Sequence, residues 1–359
     1  MKTEMKRKGI LKRAAFLMAF LFLITLAGCG SSAHPSKNRQ GNPAVSGQPA
    51  AVPKIVNIGT QQIPNDEAVA AAKGYFEEEL DTKVNIQEFQ AGDIRNAMVA
   101  GNIDFAMLGS SSAALGIASG MDVELIWIHE ILGESEGLAV QNSSQIHSVK
   151  DLKGKRIATP FATTAHYSLL KALEQNHISE KEVTLYDMQM PDLYAAWQRN
   201  DIDAAYAWEP TLSNLLENGR IILSSKQMAD KGVATANVEL VRKDFAEKYP
   251  DMVTRYLRAL DRAVALYQQN PDDAISAVVK SMNVPEADAR RQMQGSLWLT
   301  AKQQADSPYL GSTSQKGEIV DSLMNMADFL YQNKNLVDQP KRSTFEQVVN
   351  PAYAEKALR

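Results

Sequence analysis

Among 359 residues there is a single cysteine, Cys29. One thiol excludes an intramolecular disulfide and any zinc site built on several cysteines. The histidines are also few: His34, His129, His147, His166 and His177 form no HExxH motif and no paired metal-ligand spacing. No GxSxG occurs. An enzyme needs a nucleophile with an oriented base, or a metal with its ligands, and neither pattern is present, so catalysis, a cofactor and a metal are not expected. Positive charge is scarce as well. Without the first 28 residues the chain carries 32 Lys and Arg against 41 Asp and Glu, a formal charge of −9, which argues against nucleic acid as a partner.

Long apolar runs are missing too, apart from Ala14 to Ala27, which follows six basic residues near the amino end. That run is shorter than the roughly 20 apolar residues a spanning helix requires, and it has the layout of an export signal. The signal is expected to cover residues 1–28. LAGC at residues 26–29 resembles the bacterial lipoprotein processing box, which implies cleavage before Cys29 and lipid on its sulfur, with palmitate among the acyl chains. Residues 29–53 are rich in Ser, Gly, Pro and Asn and read as a disordered tether. Folding is expected to begin near Lys54, and the remainder is long enough for two lobes with separate cores.

From there a strand, KIVNIGT, a helix, DEAVAAAKGYFEEEL, and further strand–helix alternations point to an α/β fold with parallel pairing and crossover helices. A second series beginning near Ser148 repeats this grammar. In each, a helix ends in a turn followed by Ile-Asp and a strand, AGNIDFAMLG at 100–109 and RNDIDAAYAWEP at 199–210. A late helical segment with apolar spacing through Tyr256, Leu257, Leu260, Ala263 and Leu266 returns to the first series. This is the layout of a hinged two-lobe binding protein, with 54–138 and 241–350 in one lobe, 139–240 in the other, and hinges near Ala139–Gln141 and Glu239–Val241. Ligands in such sheets lie beyond the carboxyl ends of the strands. The candidate site therefore falls at the turns after NIGT, FAMLG, ATPFAT and AYAW.

TPFATTAHYSLLKAL at 159–173 crowds Thr163, Thr164, His166, Tyr167 and Ser168 together. At a helix start these hydroxyls serve as anion donors or N-caps rather than nucleophiles. Ser110, Ser111 and Ser112 occupy the equivalent place after FAMLG.

MLGSSSAA at 107–114, DLKGKRIATPFATTAHYSLLKAL at 151–173, AAWQRNDIDAAYAWEP at 195–210 and VRKDFAEKYP at 241–250 carry a resemblance. From about Lys54 to Leu336 the chain resembles the taurine-binding proteins of ABC importers, within the nitrate, sulfonate and taurine group of periplasmic-binding-protein-like domains. Sulfonate and nitrate binders keep the LGSS and GKR elements but not HYSLL. The resemblance implies a type II two-lobe fold with mixed sheets and a ligand cleft between the lobes. It also implies capture of taurine outside the membrane, no catalysis, and delivery by a lipid-anchored monomer to a permease driven by a cytoplasmic ATPase. The alternative ligands are another alkanesulfonate or a quaternary amine. Synthases of a pyrimidine precursor share the fold, but they resemble a Cys-rich pattern absent here. Two positions depart from the family: Thr60 replaces a tyrosine, and Glu209 a smaller residue.

Taurine needs donors for a sulfonate and an acidic or π-rich partner for an ammonium. Ser110, Ser111, Thr163 and Thr164 are the candidate anion donors, with Gln61 at the rim of the first lobe and His166 as a further donor. Glu136 in GESEGL is the preferred ammonium partner and Glu209 the second choice. Trp208, at the end of its strand, offers a wall or cation–π face, whereas Tyr206 is expected to be buried in the sheet. Asp104 and Asp203, each just before a strand, read as turn residues.

Overall fold

The computed structural model describes residues 52–358. The expected leader, Cys29 and the tether as far as residue 51 lie outside them. Among the described residues no helix is long and apolar enough to cross a membrane.

Eleven strands form two sheets: β1 Ile55–Thr60, β2 Lys83–Glu88, β3 Phe105–Gly109, β4 Val123–Ile131, β5 Glu136–Gln141, β6 Arg156–Thr159, β7 Thr184–Asp187, β8 Ala204–Trp208, β9 Gly219–Ser224, β10 Ala236–Arg242 and β11 Leu297–Trp298. The first sheet has the order β11-β4-β10-β3-β1-β2 and the second β7-β6-β8-β5-β9. Val56, Ile58, Phe105, Ala106 and Met107 are fully buried, as central strands covered on both faces require. The expected parallel series accounts for β1 with β2 and β3, and for β6 with β7 and β8. β5 and β10, the strands that follow each passage between sheets, enter antiparallel and make both sheets mixed.

The repeated Ile-Asp motif has one structural job in both lobes. Asp104 Oδ2 accepts from Asn57 N and Asp203 Oδ2 accepts from Arg156 N, each at 2.8 Å and each across 47 residues. Both aspartates thereby lock the start of a strand to its parallel neighbour, as turn residues do. The turns leading into them pass through the left-handed region at Gly101 (φ 72°) and Asn200 (φ 59°), residue types that tolerate it.

The passages between sheets differ from the expected hinges. The chain crosses at 132–135, between β4 and β5, and at 230–235, between helix Ser225–Ala229 and β10. Leu132 N donates to Thr235 O at 2.9 Å, so the two passages run side by side. Ala139–Gln141 and Glu239–Val241 instead lie within β5 and β10, laddered on both sides except at Gln141, which pairs on one side, and this removes the backbone freedom a hinge needs. Helix Pro250–Gln269 buries Tyr256, Leu257, Leu260 and Ala263 against the first lobe, while Leu266 is only partly buried.

Candidate functional site

The two lobes meet at a cavity where strand ends and helix starts converge. Its lining includes Gln61 after β1, Gly109 and Ser112 after β3, Leu132 and Ser135 in the first passage, and Glu136 at the start of β5. Thr163 and Thr164 after β6, Trp208 at the end of β8, Asn237 in β10 and Gln292 in helix Glu286–Gln294 complete its polar wall. Ile63 and Ala91 add apolar surface.

Two helices from opposite lobes, Ser110–Ala118 and Thr164–Gln175, start at this wall. The first N–H groups of a helix lack partners within it and attract negative charge. Thr163 is also a true N-cap: its Oγ1 accepts from His166 N at 3.3 Å and donates to Pro160 O at 2.6 Å. The lobes approach closely here. A Cβ on Gly109 would stand 3.0 Å from Thr164 Cγ2, so the absent side chain makes room for the opposite lobe.

The side chains divide into donors and acceptors. Arg95 Nη1 donates to Ser112 Oγ at 2.9 Å, which leaves the serine hydrogen to donate elsewhere and sets a half-buried cation behind it. Thr164 Oγ1 and Ser225 Oγ donate to the two oxygens of Glu136 at 2.7 and 2.6 Å. Burial pushes the Glu136 carboxyl up to about 7 even though both hydroxyls pull it down. Asn237 Nδ2 and Gln292 Nε2 donate to the oxygens of Glu130, at 2.8 and 3.3 Å, and burial raises that carboxyl to about 7 as well. Gln61 is held in place by donating from Nε2 to Met107 O at 3.1 Å.

Of the residues anticipated from sequence, Gln61, Glu136, Thr163, Thr164 and Trp208 line the cavity; Ser110, Ser111, His166 and Glu209 do not. Ser110 Oγ accepts from Ala236 N and ties β10 to the helix start, and Ser111 is buried beside it. The His166 ring stacks on Phe161 at 4.3 Å and its Nδ1 accepts from Ala162 N, so it braces the turn instead of facing the cavity. Burial lowers its pKa to about 4, leaving it neutral. Glu209 is fully buried, accepts from Ser213 N at 2.9 Å and approaches Arg291 at 3.6 Å, an internal role for the extra carboxylate. Tyr206 is fully buried with its hydroxyl on Ser225 Oγ, while Trp208 is half-buried and separates the cavity from an outer groove lined by Gln62, Phe89, Met190 and Tyr194.

Behind the first-lobe wall lies a buried charged network that sequence reasoning missed. His129 stands between Asp66 (2.7 Å) and Glu239 (2.9 Å), and Trp127 Nε1 donates to Asp66. Burial alone would lower the His129 pKa, but the two carboxylates hold it well above its ordinary value. Glu67 is raised to about 8, first by burial and then by Glu239. The Tyr256 hydroxyl lies 2.8 Å from Glu67 Oε1 and 2.9 Å from Glu239 Oε2, and because it has one proton to donate, a protonated Glu67 would satisfy the second contact. Thr60 donates to Glu67 Oε2 at 2.6 Å and so belongs to this network, not to the lining.

Residues 67–274 match the NMT1/THI5 like family. A taurine-binding periplasmic protein from Escherichia coli (strain K12) is 34% identical over 282 residues, covering 77% of this chain and 85% of its own length. Among solved structures, the alkanesulfonate-binding protein SsuA from Xanthomonas axonopodis pv. citri, bound to MOPS, superposes with a TM-score of 0.68 at 21% identity, covering 82% of this chain and 99% of that one. The desulfurization enzyme DSZB shares the fold at a TM-score of 0.62 and 16% identity, covering 85% and 99%, so this architecture serves catalysts as well as binders. With more than half its length matched and a binding-protein relative aligned over most of both chains, the protein belongs to the NMT1/THI5-like family and has the mixed two-sheet fold of periplasmic sulfonate-binding proteins.

Proposed function

We propose that this protein is the substrate-binding component of an ABC importer and that its ligand is taurine, captured outside the membrane and handed to a permease driven by a cytoplasmic ATPase. The observation that carries the reading is the double character of the cavity. Ser112, backed by Arg95, and two helix starts supply donors for an anion, while Glu136 supplies a buried acceptor for a cation. A sulfonate is anionic at any ordinary pH and an ammonium is the natural partner of an enclosed carboxylate. The taurine-binding and alkanesulfonate-binding relatives support the sulfonate class. A quaternary amine calls for an aromatic cage, and among the described lining residues Trp208 is the one aromatic. Lipid on Cys29 would hold the monomer at the extracytoplasmic face, with the tether giving it reach.

Calorimetric titration of the purified protein with taurine, ethanesulfonate, sulfate and choline tests the assignment. Heat is expected with taurine and, more weakly, with ethanesulfonate. Binding of choline without binding of taurine refutes it.

A further inference from the structure

Glu130, on β4, is fully buried and grips two amides of the cavity wall at once, Asn237 from β10 and Gln292 from helix Glu286–Gln294. When Glu130 is ionised it only accepts hydrogen bonds, and both amides turn their NH2 groups toward it. Their carbonyl oxygens are thereby turned away. Gln292 is 1% exposed, and its Oε1 is buried without a protein partner, although buried polar atoms are rarely left so. Asn237 Oδ1 faces the junction of the lobes: a Cβ on Gly109 would lie 3.8 Å from it and 3.6 Å from Thr164 Oγ1, the hydroxyl that donates to Glu136. The described lining contains no Lys or Arg to fill these acceptors.

We infer that Asn237 and Gln292, aligned by the buried Glu130, form a first-lobe acceptor pair that reads the primary ammonium of the ligand opposite Glu136. The inference rests on the aminosulfonate reading above and deepens it. A primary ammonium carries three N–H donors, and two amide carbonyls with one carboxylate supply three acceptors from two lobes. A ligand without N–H leaves the amide oxygens unmatched inside the closed cavity, so the pair selects for amine-bearing sulfonates and not merely for sulfonates.

The test is calorimetry at pH 8, where Glu130 is ionised, with taurine, ethanesulfonate and N,N,N-trimethyltaurine. Wild-type protein is expected to prefer taurine to both others. Gln292→Leu is expected to weaken taurine about ten- to a hundredfold while leaving ethanesulfonate within about threefold. Glu130→Gln, which no longer dictates the amide orientation, is expected to show the same selective loss and provides a second reading if Gln292→Leu folds poorly in a thermal melt. Equal losses for taurine and ethanesulfonate, or no loss for taurine, overturn the inference. Failure of the wild-type protein to bind any sulfonate refutes the functional reading beneath it. Equal wild-type affinity for taurine and ethanesulfonate sinks the ammonium subsite alone.

Discussion

Replacing Glu136 by glutamine separates what this carboxyl costs the fold from what it does for the ligand. Glu136 is 1% exposed and titrates at about 7 in the folded protein, against an ordinary 4.5. Because its folded pKa is raised, the folded state binds the extra proton between those values, and stability falls as pH rises through that window. At pH 8 the ionised carboxyl costs the empty protein roughly 3 kcal/mol, and at pH 5 under about 1 kcal/mol. Glutamine keeps the shape and removes the charge, and one of the hydroxyls of Thr164 and Ser225 can rotate to accept from its NH2 while the other still donates to its amide oxygen. Glu136→Gln should therefore raise the ligand-free melting temperature by several degrees at pH 8 and by much less at pH 5. Its effect on binding should be opposite: loss of a charge-assisted contact to the ammonium weakens taurine by about 1.5–3 kcal/mol, or roughly 10- to 150-fold, with ethanesulfonate unaffected or improved. Differential scanning calorimetry at the two pH values and titration with both ligands check both halves. A stability change independent of pH, or equal losses for the two sulfonates, would refute the reasoning.

Gly109→Ala should weaken every ligand, by about tenfold or less, because a methyl at 3.0 Å from Thr164 Cγ2 obstructs closure; small-angle scattering of the ligand-bound variant should report a more open particle, and unchanged affinity for all ligands would count against the close approach. The network around His129 predicts the pH dependence of the empty protein. Glu67 has a pKa raised to about 8 and His129 one raised well above 6.5, so both favour the protonated fold, and their contribution is lost as pH rises. Urea denaturation should find lower stability at pH 8 than at pH 5.5 and a shallower slope in Glu67→Gln; stability that rises over this interval would show the proton is not held there.

The strand-end turns were legible because hydroxyl-rich helix starts after apolar strands are local patterns, and the Ile-Asp repeat announced two equivalent lobes. Positions set by pairing between distant segments were not. Asn237 reaches the wall because β10 inserts antiparallel beside β3, which sets it opposite Gly109. Nothing in TANVELV declares that neighbour. Gln292 comes from a strongly polar helix whose sequence gives no reason to single out one amide. The displaced hinges have the same origin: GLAV and VELV read as strand edges near a boundary, but ladders on both sides make them interior. Acidic residues mislead in a related way. Nothing local in the sequence marks Glu67, Glu130 and Glu239 for burial, and each is buried by partners far along the chain.

The two walls of the cavity are held by different means, and this bears on how closure is coupled to ligand. In the first lobe, β4 carries His129 and Glu130 on successive residues, so alternation sends one toward the Asp66–Glu239 network and the other toward the amides of the wall. That strand, β10 and helix Pro250–Gln269 are cross-linked through buried polar atoms, which prepares Asn237 and Gln292 before any ligand arrives. In the second lobe Glu136 is held by two hydroxyls that can rotate, and it is the first strand residue after the passage at 132–135. Leu132 and Ser135 of that passage line the cavity themselves. A ligand bound between the amide pair and Glu136 therefore touches a prepared wall, the acid of the opposite lobe and the segment joining them. On the proposed reading, such a ligand would stabilise the closed form directly at the segment joining the lobes, without a relay through either core.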